Sequence, residues 1–211
     1  MRRLPVYLVL DSSGSMSGEP LEAVKNGIQI LVSSLRQDPY ALETAFLSVI
    51  SFESQAQQLV PLTELSQFQA PPLVANGVTS LGAALSLLAD CIQREVKTAT
   101  QDRKGDWKPL VFLMTDGMPT DDWEHGLARL KTQKIGMMVA CGPNHGMDTD
   151  LLKQITPHVV TLDVTDSAAF KAFFKWVSAS ISTGSQKVDT GKEVMGLSEL
   201  PPPPPEITIV V

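Results

Sequence analysis

Two kinds of apolar pattern alternate along the chain. Residues 6–10 (Val-Tyr-Leu-Val-Leu) and 110–114 (Leu-Val-Phe-Leu-Met) are short unbroken apolar runs closed by polar loops, the signature of strands buried on both faces. Between them, Leu21, Val24, Ile28, Leu31 and Leu35 recur at helical spacing behind Glu19-Pro20, and Leu81, Ala84, Leu85, Leu88 and Ile92 do so behind Ser80, which suits an N-cap. Residues 45–52 and 58–62 read as a hairpin-like pair of strands. The pattern then predicts helix over 121–134, strand over 135–140, a short helix over 149–155 and a last strand over 159–162. A final helix over 167–182 buries Phe170, Phe173, Phe174, Val177 and Ile181. Strands alternating with helices imply a three-layer α/β/α, doubly wound fold with a mostly parallel sheet. In such sheets ligands sit beyond the carboxyl ends of the strands. Asp11 and Asp116 directly follow two of the buried strands, so both are expected on that rim.

The loop after the first strand, Asp11-Ser12-Ser13-Gly14-Ser15, alternates oxygen-bearing side chains with small residues. Hard divalent cations take oxygen ligands of this kind. Thr79, in Asn76-Gly77-Val78-Thr79-Ser80, and Asp116, in Thr115-Asp116-Gly117, add a hydroxyl and a carboxylate. Two carboxylates, three hydroxyls and water match the oxygen shell of Mg2+ or Mn2+. The shortage of carboxylates disfavours Ca2+, and since no Cys or His joins the motif, thiolate-seeking metals are disfavoured too. Taken singly, Asp11, Ser13 and Ser15 also suit turns, and Thr79 suits a helix start.

Asp11, Ser13, Ser15, Thr79 and Asp116 together resemble the metal-ion-dependent adhesion site of von Willebrand factor A domains. That family carries Asp-x-Ser-x-Ser on a first loop, Thr on a second and Asp on a third. The likeness covers roughly residues 4–183. It implies a cation-binding interaction module in which an Asp or Glu of a partner protein completes the metal's shell. The opening Leu-Val-Leu-Asp-Ser-Ser-Gly-Ser-Met-Ser-Gly-Glu-Pro and the later Phe-Phe-Lys-Trp-Val-Ser-Ala-Ser-Ile are further similar to the TerY-type proteins of bacterial tellurium-resistance and stress-response clusters. That likeness implies partners among other tellurium-resistance proteins or an associated kinase or phosphatase.

Composition narrows the setting. Hydrophobic residues at 43% argue for a packed domain. A net charge of −6 with no basic run argues against nucleic acid. Cys91 and Cys141 lie in apolar contexts and are expected to be buried free thiols. The apolar run after Arg2-Arg3 is too short for a signal-peptide core, and no run reaches the length of a membrane span, so a cytoplasmic protein is expected. Residues 1–183 read as the domain and 184–211 as a polar and Pro-rich tail. Residues 201–205 form a polyproline spacer. The β-prone end, Ile207-Thr208-Ile209-Val210-Val211, suits either a mobile tail or an added strand at a sheet edge, its own or a partner's.

Competing chemistries leave weaker traces, and no enzymatic activity is expected. Gly14-Ser15-Met16-Ser17-Gly18 matches a nucleophile-elbow pattern, with Asp116 and His158 in the order a serine hydrolase needs. However, Asp11 rather than Ser17 stands at the strand exit, and no oxyanion loop is evident. A phosphotransferase with Asp11 as nucleophile lacks the second Asp, because Ser13 stands in its place. There is no phosphate-binding Gly-x-x-x-x-Gly-Lys-Ser/Thr loop. His125, His145 and His158 are scattered and read as surface or structural residues. Asp121 and Asp122 suit helix N-terminal charges or, alternatively, a rim or second-ion role. Trp107 and Trp123 flank the loop of Asp116 and suit either a partner contact or burial at the core edge.

Overall fold

Every residue of the strands that carry Asp11 and precede Asp116 is buried, as their unbroken apolar runs require. The computed structural model of the chain describes residues 2–102, 104–144, 149–163, 166–190 and 199–210. Its strands are β1 (Leu4–Asp11), β2 (Ala45–Phe52), β3 (Ala56–Glu64), β4 (Leu110–Met114), β5 (Met137–Pro143), β6 (Val159–Leu162) and β7 (Ile207–Val210). Its helices are α1 (Glu19–Leu35), α2 (Pro39–Thr44), α3 (Leu81–Glu95), α4 (Trp123–Leu130), α5 (Thr149–Ile155) and α6 (Ser167–Thr190). They form one sheet in the order β3-β2-β1-β4-β5-β6-β7, parallel except for its two edge strands, β3 and β7.

The period of two along the strands sorts the core into two layers. Val6, Leu8 and Leu10 of β1 and Leu110, Phe112 and Met114 of β4 face α1 and α6. Tyr7, Val9, Val111 and Leu113 face α3, α4 and α5. The first layer is tight where α1 crosses α6. A Cβ on Gly27 would fall 2.0 Å from the Phe174 ring.

Several elements differ from the sequence pattern. Helix α2 was not anticipated. It starts where Asp38 accepts the Tyr40 and Ala41 amides, with Pro39 in the first turn. Ser80 makes no side-chain cap on α3, and α4 is shorter than the pattern over 121–134. Helix α6 continues past Ser182 to Thr190. The end of the chain joins its own sheet, β7 pairing with β6 so that Leu162 faces Ile207. Residues 201–205 run back along α6 to reach that register. Trp176 Nε1 donates to the Pro201 carbonyl at 2.8 Å, and Lys187 holds Glu199 at 2.6 Å. Among the described residues no helix is long and apolar enough to cross a membrane.

Gly27→Ala would favour an exposed helix by about 1 kcal/mol. Here the overpacking against Phe174 outweighs that gain, and a loss of about 1–3 kcal/mol is expected. It should appear as a lower urea midpoint at unchanged slope. Phe174→Leu in the Gly27→Ala background should recover part of the loss, because the two sites share one space.

Candidate metal centre

The strand order reverses between β1 and β4. From β1 the sheet grows through β2 on one side and from β4 through β5 on the other, so the two strand exits flank a crevice. Leu10 pairs with Met114 in register, which brings Asp11 and the pair Thr115-Asp116 out side by side.

The first loop folds back on the end of its own strand. Asp11 is 1% exposed, and its Oδ1 accepts the Ser13 amide at 2.8 Å. Its Oδ2 accepts the Thr115 hydroxyl at 2.6 Å. A single 3-10 turn, Gly14–Met16, then carries Ser15 out to the mouth. Ser13 Oγ lies 3.0 Å from Ser15 Oγ, and Ser15 Oγ donates to Asp116 Oδ1 at 2.8 Å. Ser13 and Asp11 form the buried floor, with half-buried Asp116 and exposed Ser15 above them.

The second loop is held against the first by its backbone. Gly14 N–H donates to the Gly77 carbonyl at 3.1 Å, and Asn76 N–H to the Ser12 carbonyl at 2.9 Å. Gly77 has φ +64°, and a Cβ there would fall 2.0 Å from Ser54 Oγ, so conformation and space both require glycine. Buried Thr79 is fixed through its carbonyl, which accepts the Thr120 amide at 2.9 Å. A Cβ on Gly117 would lie 2.8 Å from Thr79 Oγ1, so the missing side chain lets the third loop close onto this hydroxyl.

The five residues named from the sequence thus converge from three loops. Two supporting residues were missed. Thr115 orients Asp11, and a hydroxyl directly before Asp116 was the available signal. Gly77 shapes the second loop. Asp121 caps α3 rather than its own helix, accepting the Gly82 and Ala83 amides at 2.9 and 2.8 Å. Asp122 caps α4 through the His125 amide. These amide bonds place both carboxylates at helix N-termini, the role their position in the sequence suits. Trp107 lies away from the site, buried before β4 under the Arg2 guanidinium. Trp123 is half-buried at the start of α4.

The hydrolase trio is not assembled. Asp116 follows the carboxyl end of β4, whereas His158 precedes β6, at the opposite end of the parallel sheet, beside a cavity lined by Met137 and Ile155. His145 lies outside the described residues. Cys91 and Cys141 are free and buried, and burial pushes both thiols up, Cys91 to about 11.

A sequence profile of the von Willebrand factor type A domain matches residues 6–176. The chain belongs to the von Willebrand factor A family. It is 36% identical over 132 residues to the uncharacterized Synechocystis protein sll0103, covering 59% of this chain and 27% of that protein. It is 32% identical over 149 residues to the Arabidopsis thaliana E3 ubiquitin-protein ligase WAVH1, covering 64% of this chain and 20% of that protein. The chain thus spans about a quarter or less of the length of these relatives. A mussel byssus protein, proximal thread matrix protein 1, solved with a zinc-occupied MIDAS motif, shares the fold at TM-score 0.57 and 19% identity, over 84% of this chain and 46% of that one.

Among the described residues no group of three or more His, Cys, Asp and Glu gathers to hold a metal. The A-domain site instead combines two carboxylates with three hydroxyls, a donor set that fits a hard cation. Burial pushes the Asp11 carboxyl up, against hydrogen bonds from Ser13 and Thr115 that hold it down, and the nearby Asp116 charge adds to the rise. A carboxyl whose pKa rises on folding stabilises the fold below its unfolded pKa, and that contribution is lost as pH rises through the folded value. Asp11→Asn keeps an acceptor for the Ser13 amide without the charge. In chelator at neutral pH the variant should melt no lower than the unsubstituted chain, with any advantage fading as the pH falls into the carboxylate range. A clearly lower melting temperature at neutral pH would contradict this.

Proposed function

We propose that the chain is a metal-dependent protein-interaction module without catalytic activity. In this reading Asp11, Ser13, Ser15, Thr79 and Asp116 hold a divalent cation, Mg2+ or Mn2+, and an Asp or Glu of a partner protein completes its shell. The observation that carries the reading is the bond from Ser15 to Asp116, which joins the first and third loops at the one crevice the sheet topology creates. A bound cation supplies a positive centre with an open position for a carboxylate. The protein's part is to aim the donors. Both Asp11 oxygens already accept protein hydrogen bonds, so this carboxylate is suited to act through water. The neutral hydroxyls then leave more of the ion's charge for the partner. The zinc-occupied mussel relative supports metal binding by this kind of site and makes Zn2+ a third ion to test.

The likeness to TerY-type proteins extends the proposal to a tellurium-resistance or stress-response system, in the cytoplasm, with proteins of that system as partners. One observation favours a second reading, a scaffold domain with an unused site. In it the bonds from Ser13 through Ser15 to Asp116 serve only to tie the first loop to the third.

A melting titration with Mg2+, Mn2+, Ca2+ and Zn2+ against chelator separates the two. At a hundredfold excess over Kd, an ion bound only to the folded chain should raise the melting temperature by about 5–10 °C. The rise should vanish in Asp116→Ala and Thr79→Ala. No shift with any ion at millimolar concentration would favour the scaffold.

A further inference from the structure

Three large apolar side chains stand exposed on the loops of this site: Val74 at 75%, Val78 at 50% and Met118 at 50%. The other exposed large hydrophobics among the described residues lie elsewhere, Tyr40 and Leu42 on α2 and Ile209 on β7. Val78 separates Gly77, bonded to Gly14, from Thr79. Met118 follows Gly117, which abuts Thr79. Val74 lines a groove of about 530 Å³ beside the site, together with Ser12, Glu53, Gln55 and Asn76.

The loops that carry the five donors, and the neighbouring turn at 52–55, hold no cation of their own. Segments 11–19, 52–55, 66–80 and 115–122 contain no Lys or Arg, and they contain Asp11, Glu19, Glu53, Asp116, Asp121 and Asp122. Glu53 is held below the usual carboxylate range by the Ser54 hydroxyl and amide, so it is charged at neutral pH. On these loops a ligand carboxylate therefore has one favourable position, the cation itself. A second acid on the ligand would meet negative, apolar or neutral polar groups there and no second cation, at the cost of its desolvation.

We propose that the partner presents a single carboxylate bracketed by apolar side chains, which cover Val74, Val78 and Met118, on a segment otherwise neutral or basic. This rests on the metal reading above. The apolar contacts exclude water around the carboxylate and separate such a ligand from an acid-rich segment, which the ion alone would accept.

The test is a selection of displayed, disulfide-closed random peptides on this chain in Mg2+, with elution by chelator. Eluted clones should carry one Asp or Glu beside apolar residues and no second acid. Val78→Ser and Met118→Ser should each weaken the corresponding synthetic peptide about tenfold while leaving the Mg2+-dependent rise in melting temperature unchanged. Clones with several acids, affinities indifferent to both substitutions, or no chelator-eluted clones would overturn the proposal while that rise persists. Loss of the rise in the unsubstituted chain would remove the metal reading and this proposal with it.

Discussion

The parallel pairing of β1 with β4 is the constraint on which the rest depends. These strands are not neighbours in sequence, and the sheet grows away from them in opposite directions. Their registered exits leave a crevice that helices cannot fill, and polar side chains delivered there are partly desolvated by the strands beneath. That is why Asp11, 1% exposed, sits in a place where an unpartnered carboxylate would be costly. Two protein donors meet this cost, and one of them, Thr115, comes from the neighbouring strand exit. Strand pairing and site chemistry are therefore one arrangement seen at two scales.

Around this crevice the loops are fixed mostly by backbone, which makes glycine decisive at a few positions. Gly77 turns the second loop under Glu53 and Ser54, and Gly117 opens the third loop to Thr79. Behind them α3 and α4 cross with Gly82 against Gly126, where a Cβ on Gly126 would fall 2.3 Å from the Gly82 carbonyl. The crossing places Asp121 over the first amides of α3, so one carboxylate ties the third loop to the helix that begins beside Thr79. On the opposite face, α6 and the proline segment that returns along it complete the layer beneath Met16 and Met114.

Much of this was legible in the sequence, for physical reasons. Unbroken apolar runs at 6–10 and 110–114 mark strands covered on both faces. Strand–helix alternation then dictates a parallel sheet, and the rim position of Asp11 and Asp116 follows from chain order alone. What stayed hidden depends on contacts distant in sequence. Ser80 has the composition of a cap, yet Asp121 performs that task from another loop, which no local pattern reveals. Trp107 lies near Asp116 in sequence but enters β4 from the far end. The pairing of β7 with β6 depends on how far the proline segment carries the chain along α6, a distance that composition does not specify.

The central claim is that the five oxygen donors form one cation site. Crystals of the chain soaked in Mn2+ and measured at the manganese absorption edge test it most directly. The account predicts one anomalous peak between Asp11, Ser13, Ser15, Thr79 and Asp116, absent from crystals of Asp116→Ala. A chain that binds no manganese there, or binds it only at surface carboxylates elsewhere, would contradict it.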